Sequence, residues 1–422
     1  MTPDAQQNPS AEDFRADPRA PLWATFLLTW VNNIGASAAL MGVYFVAPVS
    51  YGFTARDNTL LALLQGVTYI AGALTAGPLG RRIAGPGRFI STRGLTGLVM
   101  LGMALVCWLA VVWRSPWSIW VVVGVYSPLS GWLWPLIESF LASGRTGADL
   151  RRTTGAFNFS WASCQFVTFW LIARFMPAAA AGMDVSEEAA ELALWSIPLL
   201  ALSHVVSLVF LARLPKEPGT HHDHGDAALS AAQRALYAKL LTASRCLIVM
   251  GYVAYSASNP LLAARMEAFD VPPRWYTPLT SVWMISRVLM FLLMAVWHGW
   301  QGKRRTLAWS GGLLILGVTG ILVAPDPWTL GVSLVLFGLG HGAIYSAAFY
   351  YAMEVGSAGV DAGGYHEALI GCGYMVGPLA VLGVAMVAPV ESGAAQWPVA
   401  LAVVGLGALA GVTALRVVRR GG

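Results

Sequence analysis

Twelve apolar runs, each long enough to cross a lipid bilayer, decide what this chain can fold into. They fall at 22–48, 59–80, 89–113, 116–141, 154–176 and 194–214, then at 244–268, 277–300, 306–324, 328–353, 364–390 and 397–415. A hydrocarbon core about 30 Å thick takes roughly 20 helical residues to span. In lipid the backbone must satisfy its own polar groups, which leaves helices and closed barrels as the choices. The alternating strand pattern of a barrel, in segments of about 10 residues, is absent. An all-helical, membrane-embedded fold is therefore predicted. Only 11% of the 422 residues are charged and 57% are hydrophobic, whereas a soluble domain carries about 25% charged residues.

The runs come as six, a break, and six more. Residues 1–21 form a polar tail without an apolar signal region, so no cleavable signal peptide is expected and the first span must direct insertion. The predicted organisation is a bundle of six helices over 22–214, a linker over 215–243, a second bundle over 244–416, and a tail over 417–422. The linker holds "KEPGTHHDHGD" and then "LSAAQRALYAKL", the mildly amphipathic pattern of a short interfacial helix. Its three His and two Asp over 221–226 could hold a transition metal, but a loop offers no fixed geometry and a solvated charged segment is the expectation. No metal or cofactor is assigned.

Lys and Arg set the orientation. With the N-terminus inside, 20 of the 26 fall on the cytoplasmic side, 5 (Arg56, Arg114, Arg174, Arg265 and Arg274) fall outside, and Arg287 is left within a span. Both termini and the linker are then cytoplasmic, including the tails at 1–21 and 417–422. The sequence pI near 9.1 thus reflects topology, and no nucleic-acid partner is implied. The short loops suit a bacterial inner membrane. Cys107, Cys164, Cys246 and Cys372 sit singly in different runs, as small apolar filler with no metal spacing. There is no phosphate-binding Gly-x-x-x-x-Gly-Lys-[Ser/Thr] loop, and His366-Glu367 is not a zinc-hydrolase motif, so no enzyme activity is expected.

Twelve spans, a central linker, and basic loops after spans 2 and 8 resemble the major facilitator superfamily. That family carries a loop motif, roughly Gly-x-x-x-Asp-Arg-x-Gly-Arg-Arg, after its second helix and a fainter copy after its eighth. The first copy here is "GPLGRRIAGPGR", with Gly77, Arg81, Arg82, Gly85 and Arg88; the second is "HGWQGKRR". The family's acidic residue stands as Arg81 in one and Gly299 in the other. Internal similarity agrees with two homologous halves: Gly131 falls against Gly342, Trp134 against Tyr345 and Gly155 against Gly364, at offsets of 211 and 209 residues. The resemblance implies two pseudo-symmetric bundles, with helices 1, 4, 7 and 10 lining a central cavity, helices 2, 5, 8 and 11 flanking it, and the rest outside.

Polar residues inside a membrane are costly and normally face a cavity or a partner. Those near mid-span follow the division that the resemblance implies. Candidate solute contacts are Asn32, Asn33, Gln65, Trp134, Gln165, Tyr255, Asn259, Arg287, His341, Tyr345 and Tyr374. His204, on an outer span, breaks the pattern. Arg287 is the sharpest signal, because no acidic residue lies three or four positions away to neutralise it. It either holds an anionic group of the solute or pairs with Glu138 or Glu367 on another helix. Glu138, Asn158, His366 and Glu367 lie a turn or two from the cytoplasmic face. They form either a proton-coupling site or a gate with Arg81, Arg82 or Arg152.

The function that follows is secondary active transport, as symporter or antiporter, of a small polar organic solute, preferably anionic, by a monomer, with protons as the candidate coupling ion. Two alternatives stay open: a multidrug efflux antiporter of the same fold, and a non-transporting assembly or sensor protein. The antiporter signature Gly-x-x-x-Gly-Pro is missing from span 5, which contains "FNFSWASCQFVTF".

Overall fold

A computed structural model describes residues 19–142, 145, 147–178, 185–219, 230–355, 360–388 and 395–419. The histidine-rich segment 221–226 lies outside the described residues. Twelve long helices account for most of the rest. The first half consists of α1 (Leu22–Tyr51), α2 (Ala55–Ile83), α3 (Thr92–Val112), α4 (Pro116–Ala142), α5 (Gly147–Ile172) and α6 (Glu187–Leu211). The second consists of α7 (Ala231–Glu267), α8 (Pro273–Val296), α9 (Arg304–Val323), α10 (Pro327–Glu354), α11 (Val360–Ala385) and α12 (Gln396–Arg419). By length and hydropathy 11 of these can cross a membrane, and α5, 26 residues long, holds the place of the fifth span. The chain is a multi-pass membrane protein.

Local chemistry sets the ends. Gly52, at φ 65°, takes the left-handed conformation that stops α1. Two residues later Thr54 opens α2 with a capping box: its hydroxyl accepts from the Asp57 N–H at 3.2 Å, and the Asp57 carboxylate accepts from the Thr54 N–H at 2.9 Å. Ser230 and Gln233 form a second box at the start of α7. That helix therefore begins inside the stretch predicted as linker and runs unbroken to Ser258. Pro260, which has no N–H, then tightens one turn of it into 3-10 geometry at Asn259–Leu261.

Within the first half α1 packs on α5 and α6, and α4 packs on α2 and α3; within the second, α7 packs on α10, α11 and α12, and α10 on α8 and α9. The halves meet along two seams, α2 with α11 and α5 with α8. The first seam depends on missing side chains: a Cβ on Gly66 of α2 would sit 2.5 Å from the Met375 backbone nitrogen of α11. At the ends away from the linker, the Thr277 hydroxyl donates to the Phe169 carbonyl at 2.8 Å, and Trp170 and Trp275 meet edge to face at 6.4 Å. Toward the basic ends, Phe157 stacks on Phe349 at 6.2 Å.

The basic loop after α2 is held within its own half. Gly85 (φ 132°) and Gly87 (φ 72°) make the turn. The Arg93 guanidinium then donates to the Leu214 carbonyl at 2.6 Å and the Ala212 carbonyl at 3.2 Å, tying the start of α3 to the end of α6.

Candidate functional site

A small cavity lies where the halves meet, with a volume of about 70 Å³. Its wall draws on α1, α2, α4 and α5 from one half and α7, α8, α10 and α11 from the other. That volume is room for a few waters, well below the few hundred Å³ of a typical solute pocket.

Arg287 is buried in that wall, and no ion pair joins it to a carboxylate among the described residues. Its guanidinium donates a hydrogen bond to the Gln165 side-chain carbonyl on α5 and lies 4.5 Å from the ring of Trp283 and 4.8 Å from that of Trp161. Both rings offer their faces to the cation, an arrangement that offsets part of its desolvation. Trp161 is itself fixed: its indole N–H donates to Asn158 at 3.2 Å, and its carbonyl accepts from Asn33. Arg287 Nε and the Tyr255 hydroxyl, both on the cavity, are buried without a hydrogen-bond partner among the described residues.

Aromatic rings form most of the remaining wall. Tyr345 packs against Trp161 at 5.2 Å, Tyr252 against Tyr374 at 5.1 Å, and Tyr374 against Tyr69 at 5.5 Å. Two buried carboxylates, Glu138 and Glu367, share this wall. The Tyr69 hydroxyl donates to Glu367. Glu138 faces Gly363 of α11, where a Cβ would come within 2.8 Å of its oxygen. Neither carboxylate is paired with Arg287, Arg82 or Arg152 among the described residues. Arg81, Arg82 and Arg152 are exposed, at the basic ends of α2 and α5.

Of the residues singled out from sequence, Asn33, Trp134, Gln165, Tyr255, Arg287, Tyr345, Tyr374, Glu138 and Glu367 come together on the cavity. Others turn elsewhere. Asn32 accepts from His204 Nδ1 at 2.7 Å, and His204 Nε2 accepts from the Tyr126 hydroxyl at 2.8 Å, a buried chain linking α1, α6 and α4. An amide oxygen can only accept, which places the neutral ring's proton on Nδ1. His204 is thus explained as a partner within one half. Gln65 accepts from Tyr44. Asn259 is buried with neither side-chain atom bonded among the described residues. His341 sits behind the wall, 5.0 Å from Tyr252 and 5.8 Å from Trp283, and His366 is packed between Tyr345 and Phe349. Asn158 reaches the cavity only through Trp161.

Trp283, Tyr69 and Phe157 line the cavity and are not among the candidates from sequence. Two of them had a positional signal. Trp283 precedes Arg287 by one helical turn, and Tyr69 follows Gln65 by one.

No known protein family matches the sequence, and no curated protein matches it at a significant level. By structure the chain is similar to the nucleoside transporter NupG in a mutant form, with a TM-score of 0.66 and 15% identity over 94% of this chain and 99% of that one. It is also similar to a mutant peptide transporter POT (TM-score 0.60, 15% identity, 94% and 95% covered) and to the human organic anion transporter MFSD10 (TM-score 0.59, 14% identity, 93% and 98% covered). At these identities the likeness establishes the fold, which is the major facilitator fold.

Proposed function

From a major facilitator fold with this cavity at the meeting of its halves, we propose a secondary transporter that moves a small polar solute bearing an anionic group by alternating access. One observation carries the reading. Arg287 is a fully buried cation whose described partners, Gln165 and two indole rings, are all neutral. Such a charge is costly inside a membrane, and a solute carboxylate or phosphate would both neutralise it and reach the unpartnered Nε. The unbonded Tyr255 hydroxyl and the aromatic wall supply the rest of a binding surface for an organic anion. Neighbours of the same fold are described as nucleoside, peptide and organic anion transporters, which supports the transport class.

A cavity of about 70 Å³ admits no such solute until the halves part, as rocking about a mid-membrane site requires. Glu138 and Glu367 face this cavity without a cationic partner among the described residues, and so are the groups to exchange protons with it. Proton coupling through Glu367 completes the proposal. The positive-inside bias supports cytoplasmic termini, and the short loops support a bacterial inner membrane.

The test is a thermal-shift panel on detergent-purified protein, comparing organic anions with matched neutral sugars, nucleosides and apolar drugs. At 100 times its dissociation constant, a ligand adds about 2.7 kcal/mol to native-state stability. Stabilisation by anions alone, removed by Arg287→Gln, supports the reading. Stabilisation by neutral or apolar compounds alone makes Arg287 a structural cation.

A further inference from the structure

Away from the central cavity, α7, α9 and α12 leave an open groove of about 520 Å³ on the outer surface of the second half. Its walls are apolar, including Leu247 and Ile315, and two arginines, Arg304 and Arg419, stand at one end. Both are exposed, and among the described residues neither has a hydrogen bond or a carboxylate partner. They occupy the first turn of α9 and the last turn of α12, on the face where basic residues gather.

The groove's length is informative. From Arg304 to Ile315 along α9 is 11 residues, about 16 Å at the helical rise of 1.5 Å per residue. One leaflet of the hydrocarbon core is about 15 Å deep. Two of the glycines that line it leave open space: a Cβ on Gly312 or Gly411 would meet nothing within 4 Å.

The start of α3, the counterpart of α9 in the first half, is arranged differently. There Arg93 begins α3, but its guanidinium is bonded to the Leu214 and Ala212 carbonyls at the end of α6. The space above Gly97 is occupied by Leu211, 3.4 Å from where a Cβ would stand. The two bundles thus differ at this point: Arg93 is bonded to backbone carbonyls, whereas Arg304 and Arg419 have no bonded partner among the described residues.

We propose that this groove binds an anionic phospholipid, with an acyl chain along Gly312 and Gly411 and the phosphate held by Arg304 and Arg419. Charge complementarity selects the headgroup, since exposed guanidinium groups take phosphate in bidentate fashion. The one-leaflet length selects a lipid over a free anion. Anionic lipids are also the ones that attract basic residues at the cytoplasmic surface.

The experiment is native mass spectrometry of the full chain, delipidated in detergent and titrated with phosphatidylglycerol, phosphatidylcholine or inorganic phosphate. Wild type is expected to retain one phosphatidylglycerol in preference to phosphatidylcholine. The double variant Arg304→Gln/Arg419→Gln, and separately the groove-filling Gly312→Leu/Gly411→Leu, are each expected to cut that retention at least tenfold. Because both arginines are exposed, the first variant folds whether or not the second does. Equal retention of the two lipids, undiminished retention in the arginine variant, or displacement of phosphatidylglycerol by inorganic phosphate overturns the proposal.

Discussion

Arg287 on α8 donates a hydrogen bond to Gln165 on α5, so the most deeply buried cation of one half is anchored on a neutral amide of the other. In the proposed alternating-access cycle, this contact spans a boundary that has to open. It holds the guanidinium in place without neutralising it, which is what the proposed anion site needs.

Replacing Arg287 with Gln removes the charge-assisted contacts to an anionic solute while keeping a polar side chain. Hydrogen bonds to charged groups contribute about 1.5–3 kcal/mol, so affinity should fall by roughly ten- to a hundredfold. Isothermal titration with whichever anion stabilises wild type measures this directly. Affinity within twofold of wild type means that the anion binds elsewhere.

Glu367→Gln separates coupling from movement. Its amide oxygen can still accept from the Tyr69 hydroxyl, but it carries no titratable proton. Gradient-driven accumulation should disappear while exchange of labelled solute persists. Loss of both activities makes Glu367 a structural residue of the α2–α11 seam.

Packing at that seam gives a paired prediction. Gly66→Ala places a Cβ 2.5 Å from the Met375 nitrogen, and overpacking of this kind costs about 1–3 kcal/mol. Gly80→Ala, on the same helix with nothing within 4 Å of its Cβ, should be neutral or stabilising by up to about 1 kcal/mol. Melting curves in one detergent compare the two; equal shifts rule out the close approach as the cause.

His204→Leu leaves the Asn32 oxygen and the Tyr126 hydroxyl without their hydrogen bonds in a buried site. Losing two such bonds should destabilise the protein by about 2–4 kcal/mol. Solute selectivity should not change, because the chain of contacts lies within one half. A changed substrate profile at unchanged stability reverses that assignment.

Polarity in an apolar setting made much of this molecule legible. Apolar runs located the spans; Arg287 stood out because no acidic residue near it in sequence could neutralise it, and Gln165 because it is polar at mid-span. Rotation about the helix axis was less readable. Asn32 and Asn33 are adjacent and equally polar, yet one turns to His204 and the other to the Trp161 carbonyl facing the cavity. Which way each points depends on partners more than a hundred residues away. Trp283 and Tyr69 escaped notice because aromatic residues are common throughout a membrane bundle, and only their one-turn spacing from Arg287 and Gln65 marked them.

Solute flux in proteoliposomes tests the central claim most directly. Protein reconstituted with an anion that stabilises it is loaded with that anion unlabelled and diluted into labelled solute. Alternating access through a site centred on Arg287 predicts a transient accumulation of label that is absent from Arg287→Gln vesicles. Binding without any flux in wild type, over vesicles shown to hold folded protein, contradicts transport and leaves a solute-binding protein on a transporter scaffold.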